Sequence, residues 1–311
     1  MSKAECSYVR QALTASSPVR ADGRTLLDYR TVSLARGIIP LANGSARVAI
    51  GGTEVLASAK LEVTDSPRAS ISCNVICPGS AYPNLAPSAL DDLAGDYTHV
   101  LNATFADASL IPDNLSIIPG KKNWALVLDL VVFSDAGNIY DVLFAAARTA
   151  LVDTRVPRTS PIEYRAPKGA SASSMGPGLG MGFTVKREAP AVDFEIKDTW
   201  DEGAQLAGAD AWPVCVTLNL VPTVHFLDAT LLEEAAAPHR MLFMFSFPKK
   251  SEAKLHGMRL LGPGELSMSQ IHTLLSDGQN YAQKLAQALD AQLKLQDLSL
   301  DTTPSAVYTL R

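Results

Sequence analysis

Cysteine is scarce in this sequence, and its spacing excludes the common cysteine-based sites. The four residues are Cys6, Cys73, Cys77 and Cys215. Their positions fit neither a zinc site nor a CxxC redox pair. Unpaired thiols are the ordinary state of cysteine in a reducing compartment, so we expect the chain to work in one.

The sequence also lacks an excess of positive charge and any long apolar run. Lys and Arg number 27 against 32 Asp and Glu, which gives a formal net charge of −5. Binding of nucleic acid through the whole surface needs many basic contacts with phosphates, so this class is excluded, whereas a local basic patch is not. No run of about 18 apolar residues occurs, which predicts no membrane span. Charges at Lys3, Glu5 and Arg10 interrupt the N-terminal segment, so we expect no signal peptide.

No GxGxxG or Walker sequence is present, but one glycine stands where a strand meets a helix. The apolar run Trp124–Phe133 is long enough for a strand that is buried on both faces. A turn ends at Gly137, and Ile139–Val152 is apolar all round, as in a buried helix. Such a junction can hold a phosphate group, and a purely structural turn explains the same pattern. The stretch predicts the central strand and helix of one core.

The other segments alternate between strand hairpins and amphipathic helices. Ala46–Ile50 and Thr53–Val63 flank a Gly-Gly pair, a typical hairpin turn. Ser88 precedes an apolar stripe and has Asp91 at the capping-box position, which predicts a helix start. A second set of strands leads to a last helix from near Ser267. This order favours an α+β fold with two similar strand–helix halves.

We divide the chain into three parts. Residues 1–17 are predicted to form an N-terminal helical extension, 18–298 the main domain, and 299–311 a polar C-terminal tail. Within the main domain, residues 160–182 are rich in Gly, Ser and Pro and have no periodicity, which predicts an exposed, flexible insertion.

Several short motifs, taken together, resemble the RNase PH family. In chain order they are Arg20–Arg24 (RADGR), Asp28–Arg30, Asn43–Val48, Glu54–Leu56, Pro119–Trp124, Asp135–Asp141, Asp153–Arg158 and His225–Thr230, with Glu233 and Glu234 behind the last. The resemblance covers about residues 18–295, and no single motif carries it. It implies the RNase PH fold (ribosomal protein S5 domain 2-like).

The resemblance also implies an assembly. Six such domains form the ring of the RNA exosome, S1/KH cap subunits lie on top, and RNA passes through the central pore to a separate catalytic nuclease. The implied role is 3′-to-5′ RNA processing and degradation, including ribosomal RNA maturation and mRNA turnover. The implied locations are the nucleus, the nucleolus and the cytoplasm.

Active members of the family need a phosphate cradle at the central helix and an acid on a neighbouring strand. The cradle position here reads Gly137-Asn138-Ile139-Tyr140, in which Ile139 brings no donor. Pro213 stands where we place the acid. We therefore predict a non-catalytic subunit without metal or cofactor. The alternatives are an active phosphate-dependent 3′-to-5′ exoribonuclease that uses Asp210, and a ribosome-associated RNA-binding domain of related topology.

Three basic residues are our candidates for contact with RNA. Lys121 and Lys122 form a basic pair on a predicted loop, and Arg47 comes second. Basic side chains on loops commonly contact the nucleic-acid backbone, whereas solvated loop ends explain the same pattern.

Overall fold

The computed structural model describes residues 2–162, 193–197, 203–208, 211–222, 224–249 and 252–302. Side chains beyond residue 296 are not described. Within the described residues no helix is both long and apolar enough to cross a membrane. All four cysteines are free thiols.

The first half builds a mixed sheet with one covering helix. Its elements are α1 (Lys3–Thr14), β1 (Val32–Arg36), β2 (Gly44–Ile50), β3 (Thr53–Thr64), β4 (Ser70–Ile76), α2 (Pro87–Phe105), β5 (Ser116–Ile118), β6 (Lys122–Ser134) and α3 (Ile139–Asp153). The strand order is β1-β2-β3-β6-β4, and β5 pairs with the start of β6. Only β4 runs parallel to its neighbour, because α2 separates β4 from β6 in the chain.

The second half builds an antiparallel sheet. Its elements are β7 (Arg155–Val156), β8 (Thr159–Ile162), β9 (Asp193–Ile196), β10 (Ala204–Gln205), β11 (Val214–Val221), β12 (Val224–Phe226), α4 (Leu231–Ala236), β13 (His239–Ser246), β14 (Lys254–Leu261) and α5 (Met268–Thr302). The strand order is β12-β11-β13-β14, and two short pairs, β7 with β10 and β8 with β9, lie outside this sheet.

Helix α3 lies at the centre, as its apolar sequence predicts. It packs on β2 and β3 of the first sheet and on β11 of the second. From Ile139 to Leu151 every residue is buried. Helix α5 covers the opposite face of the second sheet, where Gly278 lies against the ring of Phe243. Helix α3 therefore lies between the two sheets. Residues that are distant in the sequence surround both of its ends.

Side chains of α2 close the outer edge of the first sheet. The amide of Cys73 donates to Asn102 Oδ1 at 2.7 Å, and Asn102 Nδ2 donates back to the carbonyl of Cys73 at 2.8 Å. The amide of Val75 donates to Thr98 Oγ1 at 3.0 Å. An edge strand normally presents such groups to water or to another chain. Here one helix satisfies them.

The predicted central strand, central helix and hairpin are confirmed, and two local predictions need correction. Helix α2 begins at Pro87 after Ala86, without a side-chain cap, so Ser88 is not its cap. Proline is favoured in the first turn because its nitrogen has no N–H that needs a partner there. The helix therefore begins at Pro87, one residue before Ser88. The predicted insertion begins too early, because Ser160 belongs to β8 and pairs with β9. Its residues 163–182 lie outside the described part of the chain.

The last helix runs further than the sequence pattern predicts. We place the start of the polar tail at residue 299, yet α5 continues to Thr302. Its apolar stripe ends near residue 293, so the final turns continue the helix without a sequence signal of burial.

Candidate functional site: the N-terminus of α3

The turn that leads into α3 is held in an unusual backbone conformation. Gly137 has φ of 96° and Asn138 has φ of 59°. Asp135 Oδ1 accepts the amide of Gly137 at 2.9 Å. Thr53 Oγ1 accepts the amide of Ala136 at 2.9 Å and donates to the carbonyl of Gly137 at 2.6 Å. Glycine adopts such a φ readily and asparagine tolerates it, and these contacts hold the turn that the two residues allow.

The segment that precedes and includes α4 closes the N-terminus of α3. A Cβ atom on Gly137 would lie 2.4 Å from the carbonyl oxygen of Ala229, so the two backbones are in direct contact. The amide of Asn138 donates to Glu234 Oε1 at 2.9 Å. A carboxylate therefore takes the amide that a phosphate oxygen would take at such a helix end. The predicted cradle is occupied by the protein itself.

Glu234 is in turn neutralised by a second partner. Arg240 Nη1 lies 3.0 Å from the same oxygen, Glu234 Oε1. Burial raises the pKa of Glu234, and Arg240 and the amide of Asn138 act in the opposite direction. The ion pair with Arg240 therefore compensates the negative charge of Glu234 at the helix end.

A second carboxylate, that of Asp228, binds one arginine from each of the first two motifs, Arg24 and Arg30. It is fully buried, accepts from Arg24 Nη1 at 3.0 Å, and accepts from Arg30 Nε and Nη2 at 2.9 and 2.7 Å. Arg30 also donates to the carbonyls of Ala136 and Gly137. Asp228 itself has φ of 45°. Arg30 and Asp228 thus tie the α3 turn to the segment before α4, and Arg24 of the RADGR motif also binds Asp228.

Asp141 completes the network inside the core. It accepts from Thr217 Oγ1 at 2.7 Å, Tyr29 Oη at 2.9 Å and Asn138 Nδ2 at 3.1 Å. Burial raises the pKa of Asp141 to about 7, and nearby Asp228 adds to this effect, although the three hydrogen bonds act in the opposite direction. The buried acid therefore titrates near neutral pH.

This titration predicts that stability falls as pH rises. The pKa of Asp141 is about 7 in the folded chain against an ordinary value of 3.8, so the folded state holds the proton more tightly. The contribution of the protonated acid is fully present below about pH 4 and is lost as pH rises through 7. We expect the free energy of unfolding, measured with urea, to decrease between pH 5 and 7. In Asp141→Asn this slope should be shallower. An identical slope in both proteins would contradict the assignment.

Arg47 lies far along the first sheet from the two adjacent RNA-binding candidates, Lys121 and Lys122. Lys122 belongs to β6, where its Nζ lies 3.6 Å from Asp193 and 5.6 Å from the ring centre of Phe194. Arg47 is paired with Glu54 on the first sheet. Arg47 of β2 lies opposite Leu56 of β3, which pairs with Val131 of β6, roughly 30 Å from Lys122 along that strand at about 3.4 Å per residue. Lys121 follows the turn at Gly120. RNA binding by these residues stays a prediction.

The structure changes the assignment of acidic residues. Pro213, which has no carboxylate, is buried just before β11. Asp210 lies outside the described residues. The sequence favours a solvated surface for the pair Glu233-Glu234, and this interpretation is wrong, because Glu233 is buried and Glu234 is half-covered at the helix end. The capping box of Thr230 with Glu233 was the available signal. Among the described residues no group of three His, Cys, Asp or Glu side chains could hold a metal ion.

Comparisons with known proteins agree with this architecture. Residues 28–157 match the 3′ exoribonuclease family, domain 1 (RNase PH). An exosome complex component Rrp42 from Sulfurisphaera tokodaii is 28% identical over 89% of this chain and 90% of its own length. A Dictyostelium discoideum protein, provisionally named exosome complex exonuclease RRP42, is 25% identical over 94% of this chain and 98% of its own length.

Solved structures show the same fold. A chain of an Archaeoglobus fulgidus exosome with RNA bound to the active site has a TM-score of 0.67 at 23% identity, covering 92% of this chain and 97% of that one. A chain of an archaeal exosome core has a TM-score of 0.65 at 21% identity, covering 92% and 96%. The expected RNase PH fold is thus confirmed. Residues 28–157 are therefore similar to the first domain of the RNase PH family, and the relatives of the chain include proteins named as the exosome component Rrp42.

Proposed function

We propose that this chain is a non-catalytic structural subunit of the RNase-PH-like ring of the RNA exosome. Its homologues over nearly the whole length carry exosome names, and its fold is that of exosome core subunits. In this proposal its partners are other RNase-PH-like ring subunits, S1/KH cap subunits, a catalytic nuclease subunit and RNA in the central pore.

The non-catalytic part of the proposal rests on one observation. The N-terminus of α3 is filled by Glu234, which is itself paired with Arg240, and the backbone at Ala229 lies against Gly137. Phosphate could bind there only by displacing a partly buried ion pair and moving the chain. Removal of one preorganised electrostatic donor typically costs about 10²–10³ in rate, so a blocked cradle should leave no useful phosphorolysis.

The alternative is an active phosphate-dependent 3′-to-5′ exoribonuclease. The name of the Dictyostelium relative favours it, because that name includes exonuclease. In this alternative Asp210 supplies the acid, and Asp210→Asn abolishes activity. Unchanged activity in that variant would exclude the role.

An assay for phosphate-dependent RNA trimming separates the two functions. The full-length chain is incubated with 3′-labelled RNA and inorganic phosphate, alone and in its ring. We expect no nucleoside diphosphate from the chain alone, and we expect other RNase-PH-like subunits to copurify with it from cell extract by mass spectrometry. A chain that stays a monomer and releases nucleoside diphosphates would refute the proposal.

The proposal also includes the RNA-processing roles of the chain and its locations in the cell. We infer roles in ribosomal RNA maturation and mRNA turnover, in the nucleus, the nucleolus and the cytoplasm. Depletion of the chain should then lengthen the 3′ ends of ribosomal RNA precursors, and a tagged chain should be visible in all three places. Normal 3′ ends after depletion would contradict the role.

Lys121 and Lys122 are the proposed contacts to RNA. A Lys121→Ala/Lys122→Ala double variant, tested in the assembled ring, should bind RNA more weakly. The slope of log affinity against log salt should fall by about 1.4, because each phosphate contact to single-stranded RNA contributes about 0.7. Lys60→Ala, at an exposed lysine paired with Asp129, is the matched control and should leave the slope unchanged. Unchanged affinity and slope in the double variant would remove these residues from the RNA path.

A further inference from the structure

A cavity lies between the second half of α2 and the edge strand β14. Its volume is about 400 Å³. Sites for small molecules commonly span about 300–1,000 Å³, so the cavity suits a small ligand. Val100, Met244 and Met258 supply its apolar wall.

The ionisable side chains that line the cavity all belong to basic residue types. They are His99, His256 and Arg259, and no carboxylate of the described residues lines it. Two acids outside the cavity lining pair with two of these basic side chains. Asp96 Oδ1 pairs with Arg259 Nη2 at 2.6 Å, and Asp107 Oδ2 lies 2.9 Å from His256 Nδ1. A ligand in the cavity therefore meets cationic and neutral donors, which favours a negatively charged or oxygen-rich group.

One donor atom of Arg259, Nη1, has no hydrogen-bond partner among the described residues. This atom is buried, whereas Nη2 is engaged with Asp96. A buried donor without an acceptor is a costly arrangement, and an oxygen of a ligand would satisfy it. The guanidinium is a preferred partner of carboxylate and phosphate oxygens because its N–H groups have fixed directions.

His256 lines the cavity, but both of its ring nitrogens already have partners. The β13–β14 register passes from Leu255 to Gly257, so His256 occupies a bulge that turns its side chain. Its Nε2 lies 2.8 Å from Ser246 Oγ and its Nδ1 lies beside Asp107. The three side chains resemble a nucleophilic triad, but Ser246 is only 1% exposed and does not line the cavity. The arrangement fixes the ring rather than presenting a nucleophile.

We propose that this cavity binds a small organic oxyanion, with Arg259 and His99 holding the charged head and Met244, Met258 and Val100 contacting an apolar body. Neither the closed α3 terminus nor membership of a ring enters this inference, so its failure would leave the proposed function unchanged.

Calorimetric titration of the full-length chain tests the site. Phenyl phosphate and benzoate share an aromatic body and differ in the head group, inorganic phosphate tests the head alone, and benzyl alcohol tests the body alone. We expect saturable binding of at least one aromatic oxyanion, and binding at least about tenfold weaker for the alcohol, since hydrogen bonds to charged groups are worth about 1.5–3 kcal/mol. The stronger of the two anions identifies the head group as phosphate or carboxylate.

Three variants assign the binding to these residues. Arg259→Gln should weaken it by about tenfold or more, and His99→Gln, at an exposed helix position where folding is not at risk, should weaken it measurably. Lys254→Gln, a cation on the same strand that does not line the cavity, should bind like the wild type. Absence of binding up to about 10 mM, equal affinity for the alcohol, or wild-type affinity in both Arg259→Gln and His99→Gln would each overturn the proposal.

Discussion

Replacing Gly137 by alanine is expected to lower the free energy of unfolding by about 3 kcal/mol. Two costs add. Alanine at a left-handed φ costs about 1–2 kcal/mol, and a contact forced into well-packed structure costs about 1–3 kcal/mol more. Here φ is 96° and the new Cβ would lie 2.4 Å from a carbonyl oxygen that belongs to the backbone, so no side chain can yield. Urea unfolding monitored by tryptophan fluorescence measures the change.

Gly95 offers a matched control for this substitution. It lies in α2, and a Cβ atom added there would meet nothing within 4 Å. Alanine is the better helix former by about 1 kcal/mol, so Gly95→Ala should leave stability unchanged or increase it. Equal effects of the two variants would mean that the contact between Gly137 and Ala229 does not hold the turn.

Breaking the ion pair between Arg20 and Glu233 is expected to have the second large effect. Arg20 Nε and Nη2 donate to the two carboxylate oxygens of Glu233 at 2.8 and 2.7 Å, and the side chains are 0% and 5% exposed. The guanidinium also donates to the carbonyls of Leu227 and Asp228. Arg20→Met leaves the buried carboxylate of Glu233 without its cationic partner and the carbonyl of Leu227 without its arginine donor, which should cost about 3–5 kcal/mol.

The pair of Arg47 with Glu54 is the corresponding surface control. The Arg47 side chain is 55% exposed, so water replaces its partner once the pair is broken. Arg47→Met should therefore change the urea midpoint very little. If Arg20→Met shifted the urea midpoint no more than Arg47→Met, the buried ion pair between Arg20 of the RADGR motif and Glu233 of α4 would not stabilise the fold.

The parts of the fold that local sequence dictates could be predicted. The hairpin of β2 and β3 is visible in its Gly-Gly turn, and the β6–α3 unit is visible because both elements are apolar on every side. These signals lie within a few residues of one another, and each depends on backbone conformation and burial alone.

The candidate site could be located but not described from sequence. Gly137 marks the right junction, yet its purpose depends on Ala229, a residue from the other half of the chain. The partner of Asn138 is Glu234, and the partner of Glu234 is Arg240. Such pairings depend on tertiary contacts that no periodicity records, so the sequence could indicate a missing donor but not the carboxylate that fills the helix end.

The hydrogen bonds from α2 to the edge of β4 have a consequence for local unfolding. The amides of Cys73 and Val75 can exchange with solvent only when Asn102 and Thr98 move away, so their exchange is governed by α2 rather than by the sheet. Helix and strand should therefore open as one cooperative unit. An outermost strand, ordinarily the first part of a sheet to fray, becomes here as slow to exchange as the helix that covers it.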